Sequence, residues 1–85
     1  MVYVKINYTT KWYISIMEVA KSIGKNLKDA RKAKGLTQRQ VATYMMMTQQ
    51  QYSRFENGIF ESNYEQILKL CKLLEITPNE LFDIE

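Results

Sequence analysis

The distribution of apolar and polar residues predicts helices over most of the chain. From Met17 onward, apolar residues recur at intervals of three and four and occupy one side of a helix, whereas lysines occupy the other side. The apolar positions are Val19, Ala20, Ile23, Leu27 and Ala30. Glycine favours the backbone conformation that ends a helix, so Gly35 predicts the end of this first helix.

Two helix-start signals lie eleven residues apart between Leu36 and Gly58. Thr37 and Thr48 are each followed by polar helix formers, and a threonine in this position can cap a helix with its hydroxyl. This pattern predicts two short helices joined by a tight turn. Their apolar residues would face the core, and polar residues would cover the outer side of the second helix. The outer set is Gln49, Gln50, Ser53, Arg54 and Asn57.

Two further helices are predicted in the C-terminal third of the chain. Asn63 would cap a helix from Tyr64 to about Leu74, whose apolar positions span more than half of its circumference. Thr77 followed by Pro78 is typical of a helix start and predicts a short final helix. With the three helices before them, these elements make an all-α domain of five helices over residues 17–85.

Residues 1–16 have a different pattern and are predicted to be an N-terminal extension. They are rich in Val, Ile, Tyr, Trp and Thr, and apolar residues alternate with polar ones on both sides of Thr9 and Thr10. A β-hairpin that helps dimerisation is the favoured interpretation, because an isolated hairpin is marginally stable and would need to pack on the helices or on a second copy. An extended arm or an unstructured leader is the alternative.

Charge is distributed unevenly along the 85 residues. The net charge is +3, but residues 1–58 carry ten Lys and Arg against three acids, whereas residues 59–85 carry two Lys against six acids. A basic part with an acidic end is typical of a protein that binds a polyanion on one side. Solvated helix faces would explain the same charges.

Few residue types suited to catalysis or metal binding are present. The chain has one cysteine, Cys71, and no histidine, so an internal disulfide and a His-Cys metal site are both excluded. Without a glycine-rich phosphate loop or paired carboxylates in an apolar setting, we expect no enzyme activity, no metal and no cofactor. No signal peptide or membrane span is indicated, and the cytoplasm is the expected location.

The segment from residue 36 to 58, with its two threonine caps, its tight turn and its Glu56-Asn57-Gly58 ending, resembles the helix-turn-helix of the lambda-repressor/Cro family, the XRE-type regulators. The likeness extends over about residues 23–82. It implies a five-helix, lambda-repressor-like domain that binds double-stranded DNA. It also implies that Arg31 pairs, partly buried, with Glu56.

The resemblance assigns roles to individual residues of the second and third helices. Gln49 and Gln50 lead the recognition helix, where the family reads base edges, and a glutamine side chain can bond to N6 and N7 of adenine. Arg54, one turn later, would read a guanine or hold a phosphate. The remaining expected DNA contacts, mainly to the sugar-phosphate backbone, are Gln38, Arg39, Thr48, Ser53 and Asn57.

Two places depart from the family pattern. Met46 stands in the turn where a glycine is usual, which predicts either a strained Met46 or a remodelled turn. After Gly58, where the family usually has lysines and a proline, the residues 59–62 are apolar and acidic. Ile59 and Phe60 are expected to be exposed and to pack against the N-terminal segment or a protein partner.

The expected function is sequence-specific regulation of transcription. The resemblance implies a repressor that binds a palindromic operator as a homodimer, with the third helix of each copy in successive major grooves about 34 Å apart. An antitoxin or a partner-controlled adaptor is the alternative, in which the main role is protein binding through residues 1–16, Ile59 and Phe60.

Overall fold

The computed structural model describes residues 8–83, with side chains from Glu18 onward, and this range contains five helices. They are α1 (Tyr8–Ala33), α2 (Gln38–Tyr44), α3 (Gln49–Glu56), α4 (Tyr64–Leu74) and α5 (Pro78–Phe82). No strand occurs among the described residues, so the prediction of an all-α, five-helix domain is confirmed. None of these helices combines the length and the apolar character that crossing a membrane requires.

Helices α2 to α5 all begin with the same reciprocal pair of hydrogen bonds. The N-cap side chain accepts a bond from the backbone N–H three residues later, and the side chain at that later position accepts one from the N-cap N–H. The pairs are Thr37 with Gln40, Thr48 with Gln51, Asn63 with Gln66 and Thr77 with Glu80, at 2.8–3.2 Å. The four predicted caps are therefore confirmed, and each stabilises its helix by about 1 kcal/mol.

Helix α1 corrects the prediction for the N-terminal extension. Its backbone is helical through residues 8–16, so the predicted β-hairpin is wrong there, while residues 1–7 lie outside the described part of the chain. The alternating pattern favoured a strand, but Trp12, Ile16 and Ala20 also follow one another at the helical spacing of four. No glycine or proline interrupts this stretch, and adding residues to an existing helix is easier than starting a new element. The helix crosses residue 17 without a break.

The core lies where the five helices meet. One fully buried large side chain from each helix occupies its centre. These residues are Leu27, Val41, Tyr52, Leu70 and Leu81. Complete burial of an aliphatic side chain of this size stabilises a fold by about 1.5–3 kcal/mol. Cys71 is also buried in this core.

Helix α1 crosses the end of α3 at Gly24, where the two backbones touch. A Cβ atom on Gly24 would lie 2.6 Å from the carbonyl oxygen of Glu56 and 2.8 Å from that of Phe55. These distances are too short for any side chain, so a hydrogen atom is the only substituent that fits. Gly24 thus sets how closely α1 approaches α3.

Polar side chains of α1 hold α5 in place. The amide Nδ2 of Asn26 donates to the backbone carbonyls of Glu80 at 3.3 Å and of Leu81 at 3.0 Å. The last carbonyls of a helix have no partner within the helix, so Asn26 supplies one. The hydroxyl of Ser22 donates to the carboxylate of Asp83 at 2.5 Å. Helix α1 therefore contacts both α3 and α5.

The turn between α2 and α3 contains a non-glycine residue, Met46, in the left-handed region of backbone conformation. Met46 has a φ of +57°, in the region where a Cβ atom meets the following carbonyl. Of the two alternatives for this turn, the strained Met46 is the one observed. Met46 is 86% exposed, whereas Met45 is buried and Met47 packs against the core. The two neighbouring methionines hold the turn in position.

Candidate nucleic-acid interface

One side of α3 faces solvent and carries the polar side chains predicted to contact DNA. Of these residues, Ser53 is half-buried and the others are exposed: Gln49, Gln50, Arg54 and Asn57. Tyr52 and Phe55, on the opposite side, are buried in the core. The helix is therefore fixed by one side and presents amide and guanidinium groups on the other.

The three consecutive glutamines at the start of α3 divide into two kinds. The Oε1 atom of Gln51 accepts a hydrogen bond from the N–H of Thr48 at 2.9 Å, and the N–H of Gln51 donates to the Thr48 hydroxyl at 3.1 Å. Among the described residues, no side chain bonds to the amide of Gln49 or Gln50. These two amides keep both a donor and an acceptor available, which is the combination that an adenine edge requires.

Glu56, the last residue of α3, joins three helices through its carboxylate. Arg31 of α1 donates from Nε to Oε2 at 2.6 Å and from Nη2 to Oε1 at 3.2 Å. Gln38 of α2 donates to Oε1 at 3.0 Å. The Glu56 side chain is 2% exposed and that of Arg31 is 11% exposed, so this is a buried, two-pronged ion pair. The Arg31–Glu56 contact that the resemblance implies is present, and Gln38 adds a third partner.

Burial and hydrogen bonding act on the Glu56 carboxyl in opposite directions. Burial raises its pKa because the charged form loses water, but the hydrogen bonds from Arg31 and Gln38 outweigh burial and hold the pKa below its ordinary value of 4.5. Burial, followed by the nearness of Glu56, raises the pKa of Tyr52. The buried Tyr52 hydroxyl has no hydrogen-bond partner among the described residues. At neutral pH, Glu56 is charged and Tyr52 is neutral.

The two residues predicted to contact DNA from α2 have different surroundings. Gln38 is half-buried and directs one N–H toward Glu56, which leaves the second N–H of its amide for another acceptor. Arg39 is exposed. The structure therefore places Gln38 among the hydrogen-bond partners of Glu56 and leaves Arg39 at the surface.

The C-terminal half of α3 carries polar residues that have partners within the chain. The Nδ2 atom of Asn57 donates to the Ser53 hydroxyl at 3.4 Å. The Nη2 atom of Arg54 lies 3.5 Å from Oε1 of Glu61, and these side chains are 61% and 78% exposed. Arg54 is thus paired, in solvent, with an acid from the loop that follows α3.

That loop corrects one expectation from the sequence. Ile59 is 46% exposed, as predicted, but Phe60 is half-buried. The Phe60 ring meets the Phe55 ring edge-on, with centroids 5.0 Å apart. Such an aromatic contact is favourable and gives Phe60 a partner within the chain. The predicted exposure is therefore wrong for Phe60, and the loop is closed against α3.

The Thr48 cap at this surface was predicted from the sequence, but the contacts of Glu61 and Lys21 were not. Gln51 completes the cap of α3, and its spacing of three from Thr48 is a known signal for that role. Glu61 pairs with Arg54, and the backbone of Lys21 passes 3.4 Å from the position of a Cβ on Gly58. No local pattern predicts these last two contacts, because each joins separate elements. No group of acidic or cysteine side chains suited to a metal ion occurs in the described part of the chain.

Comparisons with known proteins relate the chain to solved structures. A model of a helix-turn-helix family matches residues 27–81. The restriction-modification controller protein C.AhdI from Aeromonas hydrophila is 31% identical, with a TM-score of 0.66, over 82% of this chain and 100% of that chain. The clp gene regulator ClgR from C. glutamicum is 23% identical, with a TM-score of 0.70, over 76% of this chain and 83% of that chain. No curated protein sequence matches.

Proposed function

The chain belongs to the XRE-type helix-turn-helix family of DNA-binding transcriptional regulators, and from this premise we propose that it is a sequence-specific repressor that places α3 in the major groove. The observation that carries the proposal is the pair of amides of Gln49 and Gln50, which bond to no other described side chain, at the capped start of a helix whose far end is anchored to α1 and α2. Groups on a rigidly held helix discriminate base edges better than groups on a mobile loop.

Within residues 17–85, the proposed contacts fall into two groups. Base readout is assigned to Gln49, Gln50 and Arg54. Contacts to the DNA backbone are assigned to Gln38, Arg39, Thr48, Ser53 and Asn57. Support for the second group comes from the exposure of Arg39 and Asn57, from the unused N–H of Gln38, and from the attraction of helix N-termini for phosphate.

The proposal includes a homodimer on a palindromic operator. A single recognition helix reads only a few base pairs, whereas two copies with half-sites about 34 Å apart read twice as many on one side of the duplex. Tyr64 is 77% exposed and Leu68 is 45% exposed, one turn apart on α4. An apolar surface of this kind supports self-association.

Selection of bound DNA from a random pool, with the purified chain alone, tests the proposal. The expected product is a palindromic sequence whose half-sites are about one helical turn apart. A selected pool no different from the starting pool would overturn sequence-specific binding. A single enriched half-site would retain base readout and overturn the homodimer.

Ile59, which is 46% exposed beside α3, favours a second candidate function. An exposed apolar side chain next to a DNA-contacting helix suits an antitoxin or a partner-controlled adaptor whose main role is protein binding. The two functions are distinguished by gel retardation of double-stranded DNA, with and without a bound partner protein. Retardation by the purified chain alone supports the direct regulator, and retardation only in the presence of a bound protein supports the adaptor.

A further inference from the structure

Helix α3 carries a single cationic side chain, Arg54, and that side chain already has a partner. Its Nη2 atom lies 3.5 Å from Oε1 of Glu61. Arg54 follows Gln50 by four residues and so lies on the same side of the helix. A carboxylate therefore accompanies the one charged group of α3 that would approach a guanine or a phosphate.

The contact engages only part of the Arg54 guanidinium. Glu61 meets Nη2 alone, and it is the only side chain that bonds to Arg54 among the described residues. A guanidinium has five N–H donors in a fixed plane. Arg54 can therefore bind Glu61 and a base edge at the same time, and the carboxylate restricts how the guanidinium turns.

The path of the loop fixes where Glu61 lies. Phe60, its neighbour, packs against Phe55 of α3. Arg54 and Glu61 line an open surface cavity of about 460 Å³, together with Phe55 and Ile59. The aromatic contact holds the backbone at Glu61 close to α3, and the cavity leaves the free donors of Arg54 accessible from solvent.

The carboxylate affects the two modes of DNA binding differently. Binding to unrelated DNA comes almost entirely from the attraction of cations to phosphates, and an acid 3.5 Å from Arg54 reduces that attraction. Recognition of guanine depends on the direction of the guanidinium donors. An acid that orients the guanidinium therefore weakens binding to unrelated DNA and preserves the recognition of guanine.

We propose that Glu61 is a specificity-determining residue that positions Arg54: it holds the guanidinium toward base edges and offsets its attraction to the phosphates of unrelated DNA. This inference rests on the proposed function, because it requires α3 to lie in the major groove. Glu61 acts through Arg54 and touches no base.

The test compares binding of the full chain to the selected operator and to a random duplex over a range of salt concentrations. Glu61→Ala is expected to bind random DNA about fivefold more tightly, with a salt slope steeper by about one phosphate contact. Its affinity for the operator should be unchanged or weaker, so the ratio of the two affinities falls. In an Arg54→Ala background, adding Glu61→Ala should leave that ratio unchanged.

Glu65→Ala is the matched control, because Glu65 is an exposed acid in the first turn of α4 that pairs with no described residue. It should change both affinities by the same factor. An equal gain on both DNAs for Glu61→Ala would overturn the inference and leave the proposed function intact. Wild-type protein that binds operator and random DNA equally would overturn both. Melting temperatures should be unchanged in both variants, since exposed acids of this kind contribute little to stability.

Discussion

The two ends of α3 are built in opposite ways. At the C-terminal end, the backbone touches Gly24 and the Glu56 carboxylate is bound by Arg31, so α1 and α3 are joined directly. At the N-terminal end, Thr48 closes the helix with Gln51, and the two glutamines between them bond to no other described side chain. The helix is therefore fixed at its C-terminal end. Gln49 and Gln50 stay exposed at the N-terminal end, and the contacts at the C-terminal end set the direction of the helix that carries them.

The difference between the ends is also one of energy. Removal of one partner from a buried ion pair costs about 3–5 kcal/mol, because the other charge is left without compensation. Loss of a helix cap costs about 1 kcal/mol. Variants of Gly24, Arg31 or Glu56, at the anchored C-terminal end, should therefore act on stability. Variants of Gln49 or Gln50, at the free N-terminal end, should act on DNA binding.

The largest effect is expected from Arg31→Ala. This change leaves the Glu56 side chain, 2% exposed, without its cation and should lower the free energy of unfolding by about 3 kcal/mol or more. Chemical denaturation followed by circular dichroism measures the change. Arg39→Ala, at an exposed position, is the control and should shift stability by less than about 0.5 kcal/mol. An unchanged melting temperature in Arg31→Ala would show that the pair does not anchor α3.

A low pH should weaken the Arg31–Glu56 contact at the C-terminal end of α3 and so destabilise the fold. The pKa of Glu56 in the folded protein lies below its ordinary value of 4.5, so the unfolded chain binds this proton more readily and a falling pH favours unfolding. The stabilisation is complete above the ordinary pKa and is lost as pH falls through the lower folded value. Melting temperatures measured against pH should show this loss. Glu56→Gln has no carboxyl at this position, and an identical acid dependence in that variant would assign the effect to other groups.

Gly24→Ala tests the backbone contact at the anchored end. Alanine has the better helix propensity and alone would stabilise α1 by about 1 kcal/mol. The added Cβ would lie 2.6 Å from the Glu56 carbonyl, and such overpacking costs about 1–3 kcal/mol or more. We expect a net loss of stability. Lys28→Ala, on the exposed side of α1, should be nearly neutral. A more stable Gly24→Ala variant would mean that α1 does not touch α3.

Gln50→Ala addresses the free end. It should weaken binding to the selected operator by about 1–3 kcal/mol and change binding to random DNA little, because it would remove the proposed base contact and no charge. Its melting temperature should equal that of the wild type. Gln51→Ala, one residue later, should lower the melting temperature and leave the operator affinity nearly unchanged, since the Gln51 side chain is part of the helix cap. An equal loss on both DNAs for Gln50→Ala would reduce Gln50 to a residue that only positions the protein.

The two ends also differ in how well the sequence predicts them. Thr48 and the glutamines after it are local signals, so the cap and the exposed side of α3 follow from spacing alone. The Arg31–Glu56 contact joins residues 25 positions apart, and only the family resemblance implied it. Phe60 was placed wrongly, because its contact with Phe55 depends on how the loop folds back.

Residues 8–16 also show that a local pattern does not fix the structure of a segment. Their composition favours a strand, and in an apolar segment this short the periodicity alone does not distinguish a strand from a helix. The outcome depends on the helix that follows, which extends through them because helix growth is cooperative. Short apolar segments next to a strong helix are therefore better interpreted together with that helix.

The smallest effect is expected at the turn before the free end, from Met46→Gly. The φ of +57° at Met46 costs a side-chain-bearing residue about 1 kcal/mol, which glycine removes. The greater freedom of glycine in the unfolded chain offsets part of this gain, so a net stabilisation of about 0.5 kcal/mol is expected by denaturation. Met46→Ala keeps the Cβ atom and should not gain. DNA selectivity should be the same in all three proteins, because α3 takes its direction from the anchored end. A change in selectivity would instead mean that the turn helps to aim the helix.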